Sequence, residues 1–144
     1  MQVREIMTEG AETITPTAQV RDAARLMRAR NVGALPVGEN DRLVGVVTDR
    51  DIVIRAVAEG RSESETSVRD IMSDGICYCF DDDDIERAAE LMAEHQIRRL
   101  PVVNREKRLV GIVALADLAR HRVDAEKTAL EGISEPSQEA RRLH

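Results

Sequence analysis

The segment Val3-Arg4-Glu5-Ile6-Met7-Thr8-Glu9-Gly10 returns 65 positions later as Val68-Arg69-Asp70-Ile71-Met72-Ser73-Asp74-Gly75, so any fold for this chain has to be built twice. Leu35-Pro36-Val37 returns at the same offset as Leu100-Pro101-Val102. One extra residue in the second copy then lengthens the offset to 66, which matches Gly45 with Gly111 and Asp51 with Asp117. The chain divides accordingly into a first unit, 1–60, a Ser/Glu/Thr linker, 61–67, a second unit, 68–122, and a polar tail, 123–144. The tail has few apolar points, Ala125, Ala129, Leu130 and Ile133, and reads as a loose helix as far as Glu131, before Gly132 and Pro136.

Each copy carries the same order of periodicities. Thr13-Ile14-Thr15 is a short strand that Pro16 stops from extending. Val20, Ala23, Ala24 and Met27 fall at i, i+3, i+4 and i+7, the stripe of a helix with one apolar face, and Ile85, Ala88, Ala89 and Met92 repeat it. Ala34-Leu35-Pro36-Val37 is a second strand, Glu39-Asn40-Asp41-Arg42 a polar turn, and Leu43 to Val47 a third strand. A closing helix from Asp49 to Ala58 carries Ile52, Val53, Ala56 and Val57 inward. A helix between two strands implies a parallel, right-handed crossover, and a short turn implies an antiparallel pair. The expected fold class is therefore α/β of the α+β kind, made of two β-α-β-β-α units. A unit this small cannot hide both faces of its sheet, so the two should pack about a pseudo-twofold axis with clefts where the sheets meet.

The core has to be aliphatic, because Tyr78 and Phe80 are the only aromatic residues. That scarcity argues against stacking platforms for single-stranded nucleic acid. A net charge of −6 argues against a binder of phosphate backbones, while leaving room for a local basic cluster that takes a small anion. No long uncharged apolar run marks a signal peptide or membrane helix, so the sequence reads as cytoplasmic, with neither membrane nor nucleic acid as a partner. No Cys-His or Ser-His-Asp constellation, glycine-rich phosphate loop or metal cluster is visible, which points to a protein that is not an enzyme and holds no cofactor.

Cys77 and Cys79 lie two apart in a strand, so they share a face as small apolar side chains, and His95, His121 and His144 are too scattered to complete a zinc site with them. Asp81-Asp82-Asp83-Asp84 precedes the second amphipathic helix, where unpaired amides and the macrodipole favour negative charge and one aspartate can serve as N-cap. Its spacing fails the calcium-loop pattern.

The stretch Leu43-Val44-Gly45-Val46-Val47-Thr48-Asp49-Arg50-Asp51 delivers two polar side chains to the end of its own strand. Thr48 and Asp51 stand three apart at a helix start, the spacing of a capping box, although glutamate or glutamine is the usual partner. Gly45 removes bulk where a ligand or a facing backbone comes close. The repeat, Leu109-Val110-Gly111-Ile112-Val113-Ala114-Leu115-Ala116-Asp117, puts alanine where the threonine stood, and Phe80 stands where Thr15 does.

The paired units resemble CBS (cystathionine-β-synthase) domains, and in particular stand-alone bacterial proteins that consist of one tandem CBS pair. Arg4-Glu5-Ile6-Met7-Thr8, Asn31-Val32-Gly33-Ala34-Leu35-Pro36-Val37 and Gly45-Val46-Val47-Thr48-Asp49-Arg50-Asp51-Ile52 carry the resemblance in the first copy. Arg69-Asp70-Ile71-Met72-Ser73, His95-Gln96-Ile97-Arg98-Arg99-Leu100-Pro101-Val102, Gly111-Ile112-Val113 and Asp117-Leu118 carry it in the second. The His95 to Pro101 run and Asp117-Leu118-Ala119-Arg120-His121 are most similar to hypoxic-response-type members.

The resemblance implies a regulatory module that binds an adenine nucleotide, AMP, ADP or ATP, in a cleft between the units. It implies Thr48 and Asp51 on the nucleotide, with Asp51 on the ribose, and main-chain contacts to adenine from Val32, Gly33 and Ala34, with Thr15 nearby. It places basic residues of the opposite copy, His95, Arg98 and Arg99, on the phosphates. Ala114 leaves the site of Asp117 the weaker one, so a single functional site at Thr48 and Asp51 is expected. The resemblance also implies a homodimer and leaves an unknown protein partner open; the alternative is a ligand-free pair acting as an interaction module. Arg98 and Arg99 are adjacent on a strand and face opposite ways, so only one can enter a given cleft.

Overall fold

The computed structural model describes residues 1–10 and 12–122. After a single 3-10 turn at Val3–Glu5, the elements are β1 (Thr8–Glu9), α1 (Val20–Arg30), β2 (Ala34–Glu39) and β3 (Arg42–Thr48). A helix then begins as α2 (Asp49–Asp51) and continues with π winding over Ile52–Val57. The second unit comprises α3 (Val68–Ile71), β4 (Cys79–Phe80), α4 (Ile85–His95), β5 (Arg99–Val103) and β6 (Leu109–Ala114), and residues 115–122 are helical. The tail and its expected helix lie outside the described residues.

Both crossovers and both hairpins form as the repeat predicts. Ile14 bridges Val37 in parallel across α1, and β4 pairs with β5 in parallel across α4. The pairs β2–β3 and β5–β6 are antiparallel, and each register shifts at the same place, between Val37 and Gly38 and between Val102 and Val103. The first hairpin turns on Asn40 and Asp41 alone, both at positive φ, 53° and 64°; asparagine and aspartate tolerate this left-handed region best after glycine. The first strand of unit one is only a bridge at Ile14, because Pro16 follows too closely for a ladder.

Among the described residues two cores form, and neither is drawn from one repeat. The first contains Ile14, Val20, Ala23, Met27, Leu35, Val37, Val47 and Ala56, completed by Val68 and Ile71 from the start of the second copy. The second contains Cys79, Ala88, Leu91, Met92, Leu100, Val102 and Val113, completed by Val3 with Ile6 and Met7 against it. Each repeat therefore lends its opening segment to the other. β1 joins the second sheet, in the order β1-β6-β5-β4, while Ser73 bridges Val46 of β3. The boundaries 1–60 and 68–122 describe the repeats, whereas the packed units exchange residues 3–9 and 68–73. This reciprocity is the pseudo-twofold relation.

Four inward assignments are corrected. Ala24 and Ala89 are exposed, and Leu26 and Leu91 pack in their stead, because α1 and α4 are rotated to present the Ala23–Met27 and Ala88–Met92 edges. In the closing helix Ala56 is buried and Ile52 partly so, whereas Val53 and Val57 face solvent. The π winding widens the turn and removes the i, i+4 stacking on which the sequence stripe depended.

Candidate functional site

β2 and β3 bring four of the predicted residues to one end of their hairpin. Ala34 is the register partner of Thr48, and the Asp49 amide donates to the Gly33 carbonyl at 2.9 Å, which ties the segment before β2 to the start of α2. A Cβ built on Gly33 would meet Asp49 Oδ2 at 3.0 Å, so the absence of a side chain lets these two segments close. The capping box is complete: the Asp51 amide donates to Thr48 Oγ1 at 3.0 Å, and the Thr48 amide donates to Asp51 Oδ2 at 2.9 Å. Asp51 is 9% exposed. Its second oxygen, Oδ1, has Arg55 Nε at 3.8 Å. The Arg55 guanidinium also donates to the carbonyls of Ile71 and Met72, both at 3.2 Å, and so joins this corner to the segment that crosses over from the second repeat. The i, i+4 spacing of Asp51 and Arg55 was the one sequence signal for that contact.

The equivalent corner of the second unit keeps the architecture with different partners. Arg99 is the register partner of Ala114, and the Leu115 amide donates to the Arg98 carbonyl at 2.8 Å, as Asp49 does to Gly33. The Ala114 amide donates to Asp117 Oδ2 at 2.8 Å, so half of the cap survives without a hydroxyl. Asp117 Oδ1 is taken by Arg120, one turn on. Arg98, Arg99 and His95, the last residue of α4, thus belong to the hairpin end that carries Asp117, and among the described residues no hydrogen bond or ion pair joins them to Asp51. Val32 spends its amide on the Met27 carbonyl at 3.0 Å, closing α1.

Thr15 lies elsewhere. Since Ile14 is in register with Val37, Thr15 sits beside Gly38, toward the turn end of the hairpin and away from Thr48. There it lines a cavity of about 420 Å³ between the first unit and the start of β6. Gly45 faces the crossing backbone: a Cβ on it would be 2.7 Å from Met72 Sδ and 3.0 Å from the Ser73 carbonyl.

The remaining polar features have structural partners. Asp83 accepts from the Phe80 amide at 2.9 Å, Asp82 accepts both arms of Arg105 at 2.9 and 2.7 Å, and Asp84 takes the N-cap position of α4 without a side-chain cap bond. Burial pushes the Cys79 thiol up to about 12 and raises Cys77 as well. Among the described residues no three His, Cys, Asp or Glu side chains are grouped to hold a metal, and no helix is long and apolar enough to cross a membrane.

Comparison with known proteins places this geometry. The family model described as "CBS domain" matches residues 3–57 and again 68–124. The CBS domain-containing protein YhcV of Bacillus subtilis is 44% identical over 134 residues, covering 92% of this chain and 94% of its own. Hypoxic response protein 1 of Mycobacterium tuberculosis is 42% identical over 119 residues, 82% of each chain. The crystal structure of CBSX2 in complex with AMP superposes with a TM-score of 0.74 at 29% identity, over 86% of this chain and 97% of that one.

Proposed function

The chain belongs to the CBS domain family, and on that premise we propose that it is a non-enzymatic regulatory module which binds an adenine nucleotide at the Thr48–Asp51 corner. The observation that carries the reading is the state of the Asp51 carboxylate. One oxygen is fixed by the Thr48 amide at 2.9 Å, while among the described residues the other has only a 3.8 Å ion pair with Arg55. A carboxylate so oriented can accept both hydroxyls of a ribose, at roughly 1.5 to 3 kcal/mol per charged hydrogen bond. In the second unit Arg120 occupies the corresponding oxygen, which supports a single functional site. The AMP complex of the similar CBSX2 supports the choice of nucleotide.

Calorimetric titration with AMP, ADP and ATP tests the proposal. The Asp51→Glu variant keeps an acid that can cap but displaces it from the ribose, so its melting temperature holds while affinity for the preferred nucleotide falls about tenfold, the equivalent of about 1.4 kcal/mol. Unchanged affinity would remove Asp51 from the ribose.

A homodimer is the second part of the proposal. Val53, Ile54 and Val57 expose 55%, 47% and 67% of their surface on one helix, an apolar face suited to a second copy of this chain. Light scattering should give a dimer mass that Val57→Lys lowers to that of the monomer. If the wild-type chain is monomeric at micromolar concentration, this part fails.

A further inference from the structure

The pseudo-twofold axis gives the residues lining the open cavity counterparts, and on the first-unit wall four of those counterparts are larger. The cavity is walled by Thr13, Thr15, Gly38, Asn40 and Asp41 on one side and by Leu109 to Gly111 on the other. At the offset of 65 the first four correspond to Tyr78, Phe80, Val103 and Arg105, while Leu109 to Gly111 correspond to Leu43 to Gly45 at 66. The bulky set packs on itself. Tyr78 meets Phe80 edge to face at 5.7 Å, Arg105 lies 4.0 Å over the Phe80 ring, and Asp82 pins Arg105 there. Val103 is buried at 2% exposure, whereas at Gly38 a Cβ would reach Thr13 at 3.5 Å, in ordinary contact. One side has been filled with side chains and the other kept clear, on a scaffold that is otherwise symmetric.

We infer that the Thr13–Gly38–Asp41 cavity is a second ligand compartment, distinct from the Thr48–Asp51 corner, and that it takes a small polyhydroxylated molecule without phosphate, such as a nucleoside. Its volume is in the range of small-molecule sites. Its polar wall consists of two hydroxyls, a carboxamide and one carboxylate, a set rich in acceptors for ligand hydroxyl or amino groups. Asp41 is the one formal charge on that wall, and Arg108, 3.7 Å from it, lies outside the lining. A phosphate would therefore face a carboxylate with no cation among the described residues of the wall to offset it.

The inference rests on the reading of the chain as a ligand-binding CBS pair but not on Asp51. The probe is adenosine, titrated by calorimetry beside AMP into the full chain and into Gly38→Val, Thr15→Phe and Asp41→Asn. The first two variants copy what the chain itself places at 103 and 80. Adenosine should bind the wild-type protein, weaken at least tenfold in Gly38→Val and Thr15→Phe, and weaken severalfold in Asp41→Asn, which leaves the cavity open. Thermal melts establish that each variant is folded, and Gly38→Ala, whose Cβ clashes with nothing, serves if the larger changes do not fold. Absence of adenosine binding, or adenosine affinity untouched by the filling variants, overturns the inference; so does a loss in those variants that affects AMP but not adenosine. Asp51→Glu does not enter this comparison, so the ribose assignment and the second compartment can fail separately.

Discussion

Thr48 and Asp51 hold each other through two hydrogen bonds, of 3.0 and 2.9 Å, where Ala114 and Asp117 share one, of 2.8 Å. The missing bond is the one from the Asp117 amide to a hydroxyl at 114. Ala114→Thr should restore it and stabilise the protein by about 1 kcal/mol, and Thr48→Ala should remove about the same. Urea denaturation of both variants checks this. A neutral Ala114→Thr would mean that the second helix is capped some other way.

The two strand glycines differ in what opposes them. A Cβ on Gly111 would lie 2.7 Å from the Thr8 carbonyl, which is backbone, whereas on Gly45 the nearest atom, at 2.7 Å, is the end of the flexible Met72 side chain. Gly111→Ala should therefore cost about 3 kcal/mol and Gly45→Ala about 1 to 2 kcal/mol, within the range of overpacked cores. Thermal melts giving the reverse order would show that the Met72 side has the less room to adjust.

Val3 and Val68 are both fully buried, each in the core of the other repeat. Removing two methyl groups from either site should cost about 2 kcal/mol. Val3→Ala should lower the unfolding midpoint as much as Val68→Ala, although Val3 stands near the chain start, where truncation is usually tolerated. A silent Val3→Ala would place the second core elsewhere.

The repeat offset was enough to read the order of elements, both hairpins and the crossover, because those depend on local periodicity and turn chemistry. The Thr48–Asp51 capping box was legible for the same reason, its partners being three residues apart. What the sequence concealed depends on distance along the chain. Nothing near Val3 says that it packs on Leu100 rather than on Leu35, since the two repeats offer chemically similar surfaces. The outward turn of Val53 and Val57 follows from π winding, which leaves no mark on apolar spacing. The resemblance carries Arg98 and Arg99 to the opposite copy's nucleotide, and strand register sets them beside Asp117, a placement that no local spacing announces. The open cavity could have been found from the paired substitutions Thr13/Tyr78 and Gly38/Val103, read together with Thr15/Phe80.

Cys79 gives a pH dependence with a definite sign. Its thiol is pushed up to about 12 in the folded chain by burial, above the ordinary range of about 8.5 to 9 that the unfolded chain retains. The folded state thus holds the proton longer. Stability is unaffected below about pH 8 and falls as pH rises past 9, by at most about 1.4 kcal/mol per unit. Cys79→Ala should flatten this alkaline limb in denaturation curves taken from pH 7 to 10.5. Native Cys79 should also resist a thiol-specific disulfide reagent at pH 8, and rapid labelling would contradict its burial.

The exchange of opening segments ties the repeats together independently of the covalent link between them. A cut within residues 61–65 would leave one fragment carrying Val3 and another carrying Val68 and Ile71, each holding the piece that the other's core lacks. Two such fragments are obligate complements: neither has a complete interior by itself, and together they can rebuild both. The packing unit of this protein is the pair, and half of it is not a smaller version of the whole.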